Sequence, residues 1–159
     1  MNTGVYKLVS DSHVEKEYFL MPKHSNGSGR LFGGQLLSWI DEVAGLVARR
    51  HSNHDVVTVA IDNLIFKSGA EIKDIVVIIG NITYVGKTSM EVRVDTYVEN
   101  IDGKRTLINK AYFVMVALDK KQKPVKVPEL RVSGASEKAE WDAGVKRAEL
   151  RRVRRKEGF

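Results

Sequence analysis

A carboxylate in the middle of an apolar helical segment is the first candidate for chemistry in this sequence. Asp41 lies in QLLSWIDEVAGLVARR, residues 35–50, whose apolar residues have helical spacing and which contains no Pro. Asp prefers helix caps, and an unsatisfied carboxylate in apolar surroundings costs free energy. Asp41 is therefore either an exposed or arginine-paired acid, or a functional acid, since active sites often break local preferences.

The helix predicted between Gly34 and Arg50 has two distinct faces. Four apolar residues at spacings of four, three and four form one face, which we expect to pack on a sheet: Leu36, Ile40, Val43 and Val47. The second face consists of residues with small side chains, apart from Asp41: Gly34, Ser38, Asp41, Gly45 and Ala48. Such a face would let a backbone or an extended ligand approach closely.

Two glycines open this helix about two turns before Asp41, in Phe32-Gly33-Gly34. The first N–H groups of a helix lack intrahelical partners, and the positive end of the helix dipole favours negative charge. The N–H of Gly34 could therefore hold a carbonyl oxygen that gains negative charge. The alternative is that the glycines only form a tight junction between loop and helix. The sequence has no GxxxxGK[ST], so a P-loop is not indicated.

Composition excludes several classes of site. The chain has 159 residues and no Cys, which rules out a thiolate nucleophile, a disulfide framework and Cys-ligated metals. The four histidines lack metal-ligand spacing and are expected at the surface, and no GxSxG elbow is present. No stretch approaches the roughly 18 apolar residues of a membrane span. Because the first twenty residues carry charges throughout, we expect a cytoplasmic protein.

The net charge of +6 resides in one C-terminal segment. Residues 146–156 hold seven Lys or Arg and one Glu, so the rest of the chain is neutral in sum. A neutral body is not typical of a general nucleic-acid binder. We predict a helix over 136–157 that docks through Trp141 and leaves its basic end in solvent, where it either attracts an anionic ligand or only solubilises.

Strand-like segments flank the predicted helix. One precedes it, at 14–21, and four follow it: 56–66, 74–85, 88–98 and 105–118. Turn residues join the last three into an antiparallel meander, and 88–98 alternates apolar and polar residues as a half-buried strand does. The pattern predicts an α+β fold. One helix cannot cover so large an apolar sheet, so we expect a homo-oligomer.

The segment NGSGRLFGGQLLSWIDEVAG, residues 26–45, resembles the signature of hotdog-fold acyl-CoA thioesterases. It is most similar to that of the bacterial YciA-like enzymes and the cytosolic acyl-CoA hydrolases of animals. Three further segments match that family in order and spacing: VTVA at 57–60, NLIF at 63–66 and VGKTS at 85–89. The resemblance implies a hotdog fold, an antiparallel sheet wrapped around one long helix. It also implies a hydrolase domain over 1–130, followed by a basic helical tail over 131–159.

The resemblance also implies an active site that lies between subunits of a homo-oligomer, a trimer of dimers. Asp41 of one subunit and Asn26 of the other would face the same thioester, with Asp41 as general base on a water or as direct nucleophile. Asn26 would orient the water or the carbonyl, Gly34 would polarise the carbonyl through its N–H, and Thr58 would help to hold the water. No cofactor is expected, since coenzyme A belongs to the substrate.

Two further assignments follow from the resemblance. Lys87, Thr88 and Ser89 resemble the turn that meets the CoA phosphates, although Lys87 also fits a plain hairpin turn. Aromatic residues could line an acyl tunnel or simply fill the core: Trp39, Phe66 and Tyr84.

Two other functions occur on the same fold. One is a non-catalytic acyl-CoA-binding regulator whose tail contacts nucleic acid. The neutral body and the presence of both Asn26 and Asp41 argue against it. The other is a dehydratase, but Phe32 occupies the position where that enzyme would carry a His. The sequence therefore favours an acyl-CoA thioesterase that binds neither membrane nor nucleic acid.

Overall fold

The computed structural model describes residues 4–159, so the first three residues of the predicted domain lie outside the described part of the chain. Seven strands and two α-helices follow in order: β1 (Tyr6–Leu8), β2 (Val14–Phe19), α1 (Gly33–Ser52), β3 (Asp55–Phe66), β4 (Ile75–Val85), β5 (Ser89–Glu99), β6 (Arg105–Leu118), β7 (Glu129–Arg131) and α2 (Gly134–Glu157). Short 3₁₀ turns lie at Val9–Ser12 and Pro22–His24. None of the helices described has the length and apolar character needed to cross a membrane.

Five strands form one antiparallel sheet in the order β2-β4-β5-β6-β3. The predicted meander is confirmed, since β4, β5 and β6 are neighbours in sequence and in space. Within residues 4–159, β3 pairs with β6 alone and leaves its other edge free. A parallel pair, β1 with β7, was not predicted, because three-residue strands are too short to show periodicity.

The long helix α1 packs on one face of this sheet and confirms the predicted hotdog arrangement. The four residues of its predicted apolar face are at most 2% exposed: Leu36, Ile40, Val43 and Val47. Helix and sheet approach closely at Gly80 of β4, where a Cβ would stand 2.7 Å from Val43 Cγ1 and 2.9 Å from Val47 Cγ2. The helix ends at Asn53, whose left-handed backbone lets its N–H donate to the carbonyl of Arg49.

The second helix, α2, covers the opposite face of the sheet. Trp141 packs against Tyr84 with ring centroids 4.8 Å apart, the docking contact that the sequence predicted. Because α2 covers this face, the prediction of a half-buried β5 is wrong: Glu91 is 1% and Asp95 8% exposed. The predicted domain boundary at 130/131 falls within β7, and the division itself stays a prediction.

The prediction that the basic end of α2 is left in solvent is also wrong for Arg147 and Arg151, whose side chains are 14% and 13% exposed, whereas Arg154 is exposed and still pairs with the sheet. Arg147 makes a two-pronged contact with the buried Glu91, at 2.8 and 3.0 Å. Arg151 and Arg154 both bind Asp62 of β3, at 2.5 and 3.0 Å. Carboxylates buried in a sheet need cationic partners, and α2 supplies them.

Candidate active site

Asp41 and Thr58 are brought together where α1 crosses the start of β3. The hydroxyl of Thr58 donates a hydrogen bond to Asp41 Oδ1 across 2.7 Å. The same hydroxyl lies 3.4 Å from Met115 Sδ, a much weaker acceptor. Oδ2 of Asp41 forms no hydrogen bond within the part of the chain that the structure describes. One oxygen of the carboxylate is thus held in place and the other is available to a ligand.

The two adjacent acids of α1 have different surroundings. Glu42 binds Lys16 Nζ at 2.6 Å and accepts a hydrogen bond from Tyr18 at 3.2 Å. The hydrogen bond from Lys16 lowers the pKa of Glu42. Glu42 is therefore an acid in a surface ion pair, whereas Asp41 is half-buried and is held by a neutral hydroxyl group.

The small face of α1 forms an open surface around Asp41. Gly34 and Ser38 are exposed, and a Cβ at Gly45 would have no heavy atom within 4 Å. Ala48 departs from this prediction, because it is fully buried in the core at the C-terminal half of the helix. The predicted approach surface therefore covers the first three turns of α1, and Asp41 is its ionisable group.

At the start of α1, the N–H groups of Gly33 and Gly34 donate to no acceptor among residues 4–159. The N-cap residue is Phe32, whose side chain has no hydrogen-bond acceptor, and the first intrahelical bond runs from Leu36 N–H to Phe32 O at 3.1 Å. Gly34 precedes that bond and is exposed. A Cβ at Gly34 would stand 2.6 Å from Cε1 of Phe32, so glycine is also required for the tight junction. The tight-junction interpretation therefore applies to Gly34, and its binding of a carbonyl oxygen stays a prediction.

No hydrogen bond joins the side chains of Asn26 and Asp41 among residues 4–159. Asn26 Oδ1 accepts hydrogen bonds from the N–H groups of Ser28 and Arg30, at 2.9 and 3.3 Å. Its own N–H donates to the carbonyl of Arg30 at 2.8 Å. These bonds shape the exposed loop before α1, and the placement of Asn26 opposite Asp41 stays a prediction.

The predicted phosphate-binding turn lies between β4 and β5. Gly86 N–H donates to Ser89 O at 2.8 Å. The carbonyl of Thr88 accepts a hydrogen bond from Ala117, near the end of β6, and the carbonyl of Lys87 accepts one from Val127, which follows β6. The turn is thus held by its backbone while the Lys87 side chain is exposed. Ser89 pairs with Val116, and so does Val57, which places this turn at the same end of β3 as Thr58.

The three aromatic candidates for an acyl tunnel occupy different places. Phe66 is 51% exposed and lies beside the helix start, where a Cβ at Gly33 would be 3.8 Å from its Cζ. Trp39 is buried in the core, and Tyr84 packs under α2 on the opposite face of the sheet. Of the three, Phe66 is the one that is exposed beside the first residue of α1.

Sequence reasoning missed the buried polar groups. His51 is fully buried rather than at the surface, and its Nε2 donates to the carbonyl of Pro128 at 2.9 Å. Burial lowers the pKa of His51. The ion pairs beneath α2 could have been predicted from the sequence. Their arginines are spaced by four and three residues, which places them on one helix face: Arg147, Arg151 and Arg154.

Among residues 4–159, no group of three or more His, Asp or Glu side chains is placed to hold a metal ion.

Comparisons with known proteins agree on one family. The family model described as "Thioesterase superfamily" matches residues 28–103. A Bacillus subtilis relative, named uncharacterized acyl-CoA thioester hydrolase YkhA, is 34% identical over 157 residues, which covers 98% of this chain and 91% of the relative.

Solved structures show the same similarity over nearly the whole chain. An acyl-CoA hydrolase of Staphylococcus aureus, solved as an asparagine-to-alanine mutant with coenzyme A, has a TM-score of 0.93 at 31% identity, covering 98% of this chain and 93% of that one. Other structures of that hydrolase contain butyryl-CoA, or alanine in place of an aspartate or a threonine. An apo-hexameric acyl-CoA thioesterase has a TM-score of 0.91 at 36% identity, covering 94% of this chain and 97% of that one.

Proposed function

The chain belongs to the thioesterase superfamily, and we infer that it hydrolyses acyl-CoA thioesters to a free acid and coenzyme A. One observation supports the assignment of this function to particular residues. The carboxylate of Asp41, which Thr58 holds at 2.7 Å, lies on the open face of α1, and the same face begins at the N–H group of Gly34. A base and a carbonyl-binding donor on one surface are the groups that thioester hydrolysis requires.

The proposed reaction begins with the thioester carbonyl at the N-terminus of α1. The N–H of Gly34 would bind the carbonyl oxygen as it gains negative charge, a contribution of about 10²–10³ in rate for one donor. Asp41 Oδ2 would take a proton from a water that attacks the carbonyl carbon, which typically contributes about 10²–10⁴. The tetrahedral intermediate then expels the CoA thiolate, which takes up a proton. Direct attack by Asp41, through an anhydride that water then hydrolyses, uses the same groups.

In this scheme Thr58 orients the carboxylate of Asp41, which is a more specific role than helping to hold a water. Its hydroxyl proton is directed at Asp41 Oδ1, so the group orients the carboxylate, and its oxygen can still accept a hydrogen bond from the attacking water. The mutated asparagine, aspartate and threonine of the S. aureus hydrolase are the same residue types as Asn26, Asp41 and Thr58, which supports the three assignments.

The site is proposed to be shared between subunits. Within one chain Asn26 is bound to its own loop, so an asparagine facing Asp41 would come from a second copy. The free edge of β3 carries Val57 and Val59, which are 41% and 54% exposed, and a second copy that paired there would bury them. Since a solved neighbour is hexameric, we propose a homo-oligomer built as a trimer of dimers.

Cofactor, location and partners complete the proposal. The reaction needs only water and the acyl-CoA, so no resident cofactor is proposed. A cytoplasmic location is proposed, which the absence of cysteine fits. The alternative of a regulator whose tail contacts nucleic acid has less support, because three arginines of that tail already pair with Glu91 and Asp62 of the sheet.

The experiment that tests this function is a hydrolysis screen of the purified chain against acyl-CoAs from acetyl to palmitoyl, with detection of the released thiol. Saturable turnover of at least one thioester is expected. Binding of acyl-CoA without thiol release would favour the regulator, and the absence of both would contradict the assignment.

A further inference from the structure

A row of three side chains crosses the inner face of the sheet and ends at Asp41. Thr58 of β3 stands opposite Met115 of β6, and Met115 stands opposite Met90 of β5. Met115 is 2% and Met90 1% exposed, and both belong to the core, whereas Thr58 is exposed. The row therefore leads from the core to the hydroxyl that holds Asp41, and the function proposed above gives its two methionines no role.

The thioether of Met115 is the second neighbour of the Thr58 hydroxyl. Its Sδ lies 3.4 Å from Thr58 Oγ1, and Oδ1 of Asp41 lies 2.7 Å from the same oxygen. A hydroxyl group carries one proton, so the two acceptors compete for it. A carboxylate oxygen is a strong, charged acceptor, and a thioether sulfur is a weak one. The proton is therefore directed to Asp41.

Met115 also determines what else can reach this hydroxyl. Because it is buried, it covers the side of Thr58 that faces the core, and the exposed side remains open to water. An amide or a trapped water in its place would accept the proton more strongly than sulfur does. A flexible thioether fills an irregular space in a core without bringing such a group. Met115 thus closes the buried side and offers Thr58 no acceptor that rivals Asp41.

We propose that Met115 is a positioning residue for hydrolysis, whose thioether closes the buried side of the Thr58 hydroxyl and keeps the single proton of that group on Asp41. This inference rests on the function proposed above, since it extends the support of the Asp41 carboxylate by one further residue. Met115 acts through Thr58, and it takes no part in the reaction itself.

The test places a stronger acceptor next to the hydroxyl. Met115→Gln has a side chain of similar length, whose amide oxygen can accept the Thr58 proton. We expect kcat to fall about tenfold, as for loss of the Thr58 hydroxyl itself, with KM near its wild-type value. Met115→Leu keeps an apolar side chain of similar volume and should retain most of kcat. A tenfold loss in the Leu variant would overturn the proposal.

A matched control places the same amide one strand away, because a polar group in the core also costs stability. Met90 is as buried as Met115 and forms no hydrogen bond with Thr58 among residues 4–159. Met90→Gln should lower the melting temperature about as much as Met115→Gln does and should keep the wild-type kcat. Equal losses of kcat in the two variants would reduce the effect to core destabilisation and overturn the positioning role.

A double-variant cycle isolates the coupling between the two side chains. In a Thr58→Val background no hydroxyl proton remains to be diverted, so Met115→Gln should lower kcat no further. A second tenfold loss in that background would overturn the inference.

A crystal structure of the Met115→Gln protein separates this inference from the proposed function. Thr58 Oγ1 should lie within hydrogen-bond distance of the introduced amide, and its contact with Asp41 should be lost. An unchanged contact of 2.7 Å would overturn the inference. Because this structure does not depend on turnover, absence of hydrolysis by the unmodified chain would contradict the proposed function separately.

Discussion

The hydroxyl of Thr58 lies 2.7 Å from Oδ1 of Asp41 and joins the start of β3 to the middle of α1. This contact explains how a carboxylate is accommodated in the most apolar helix of the chain, since one oxygen is satisfied by a neutral donor without an ion pair. The other oxygen remains directed away from protein partners among the described residues. The same contact thus stabilises the acid and leaves it available as a base.

Asp41→Asn is expected to lower kcat by about 10² or more, because the amide cannot accept the proton from the attacking water. The two side chains are nearly isosteric, so the melting temperature should change little. Thiol-release kinetics measure the effect. Glu42→Gln is the matched control, since Glu42 is the adjacent acid but pairs with Lys16 at the surface, and it should retain wild-type turnover. Wild-type turnover in the Asp41 variant would remove Asp41 from the mechanism.

Thr58→Val should reduce kcat by about tenfold while KM stays near its wild-type value. The isosteric change removes the hydrogen bond that orients Asp41, and hydrogen bonds to charged groups contribute about 1.5–3 kcal/mol. Thr58→Ser keeps the hydroxyl and is expected to restore most of the rate. If the Val variant kept the wild-type kcat and the Ser variant lost it, packing of the methyl group rather than the hydrogen bond would be the role of this residue.

A shared site predicts complementation between inactive variants. Protomers carrying Asn26→Ala and protomers carrying Asp41→Asn should each have low activity, and co-refolded mixtures should recover part of it. Mixing creates some sites in which both residues are intact. Formation of hetero-oligomers is verified with two affinity tags. Full assembly without any recovery would place both residues in a site within one subunit.

The ion pairs beneath α2 are expected to affect stability strongly. Glu91 is 1% exposed, and Arg147→Ala leaves it only the Thr83 hydroxyl at 2.8 Å and the longer Arg151 contact at 3.4 Å, so the free energy of unfolding should fall by about 3 kcal/mol. The double variant Glu91→Gln/Arg147→Met removes both charges and should recover much of that loss. Urea unfolding monitored by Trp fluorescence measures both. A loss below about 1 kcal/mol in Arg147→Ala would indicate that the pair behaves as an exposed one.

His51 is expected to make stability depend on pH. Burial lowers its pKa below the ordinary value of 6.5, so the folded state holds it neutral while the unfolded state gains a proton. The unfolded state binds more protons in this window, and stability therefore falls as pH decreases from about 6.5 to the lowered folded value. His51→Gln, which keeps a donor for Pro128 O, should flatten this part of the profile. An unchanged pH profile in that variant would assign the dependence to other groups.

Much of the fold was predictable from local patterns. The buried face of α1 and the meander of β4, β5 and β6 follow from apolar periodicities of 3.6 and 2, which depend on residues close in sequence. The conflict between Asp41 and its apolar helix is equally local, and it marked the candidate acid. The glycine pair at the helix start was visible for the same reason.

Burial of individual polar groups depended on which elements pack together, and sequence patterns did not reveal it. The alternation in β5 predicted one solvated face, but α2 covers that face, so the buried Glu91 forms ion pairs with Arg147 and Arg151 of the tail. His51 was expected at the surface, and the packing of the chain around Pro128 encloses it.

The sequence by itself determined that an acid, a glycine-led helix start and a free polar turn belong to one chain in the order of a known family. Only the tertiary structure decided which atoms meet. Thr58 is 17 residues from Asp41, and Arg151 of α2 binds Asp62 of β3 across 89 residues of sequence. Such long-range contacts arise from the packing of both helices on opposite faces of one sheet, which the order of residue types along the chain does not specify.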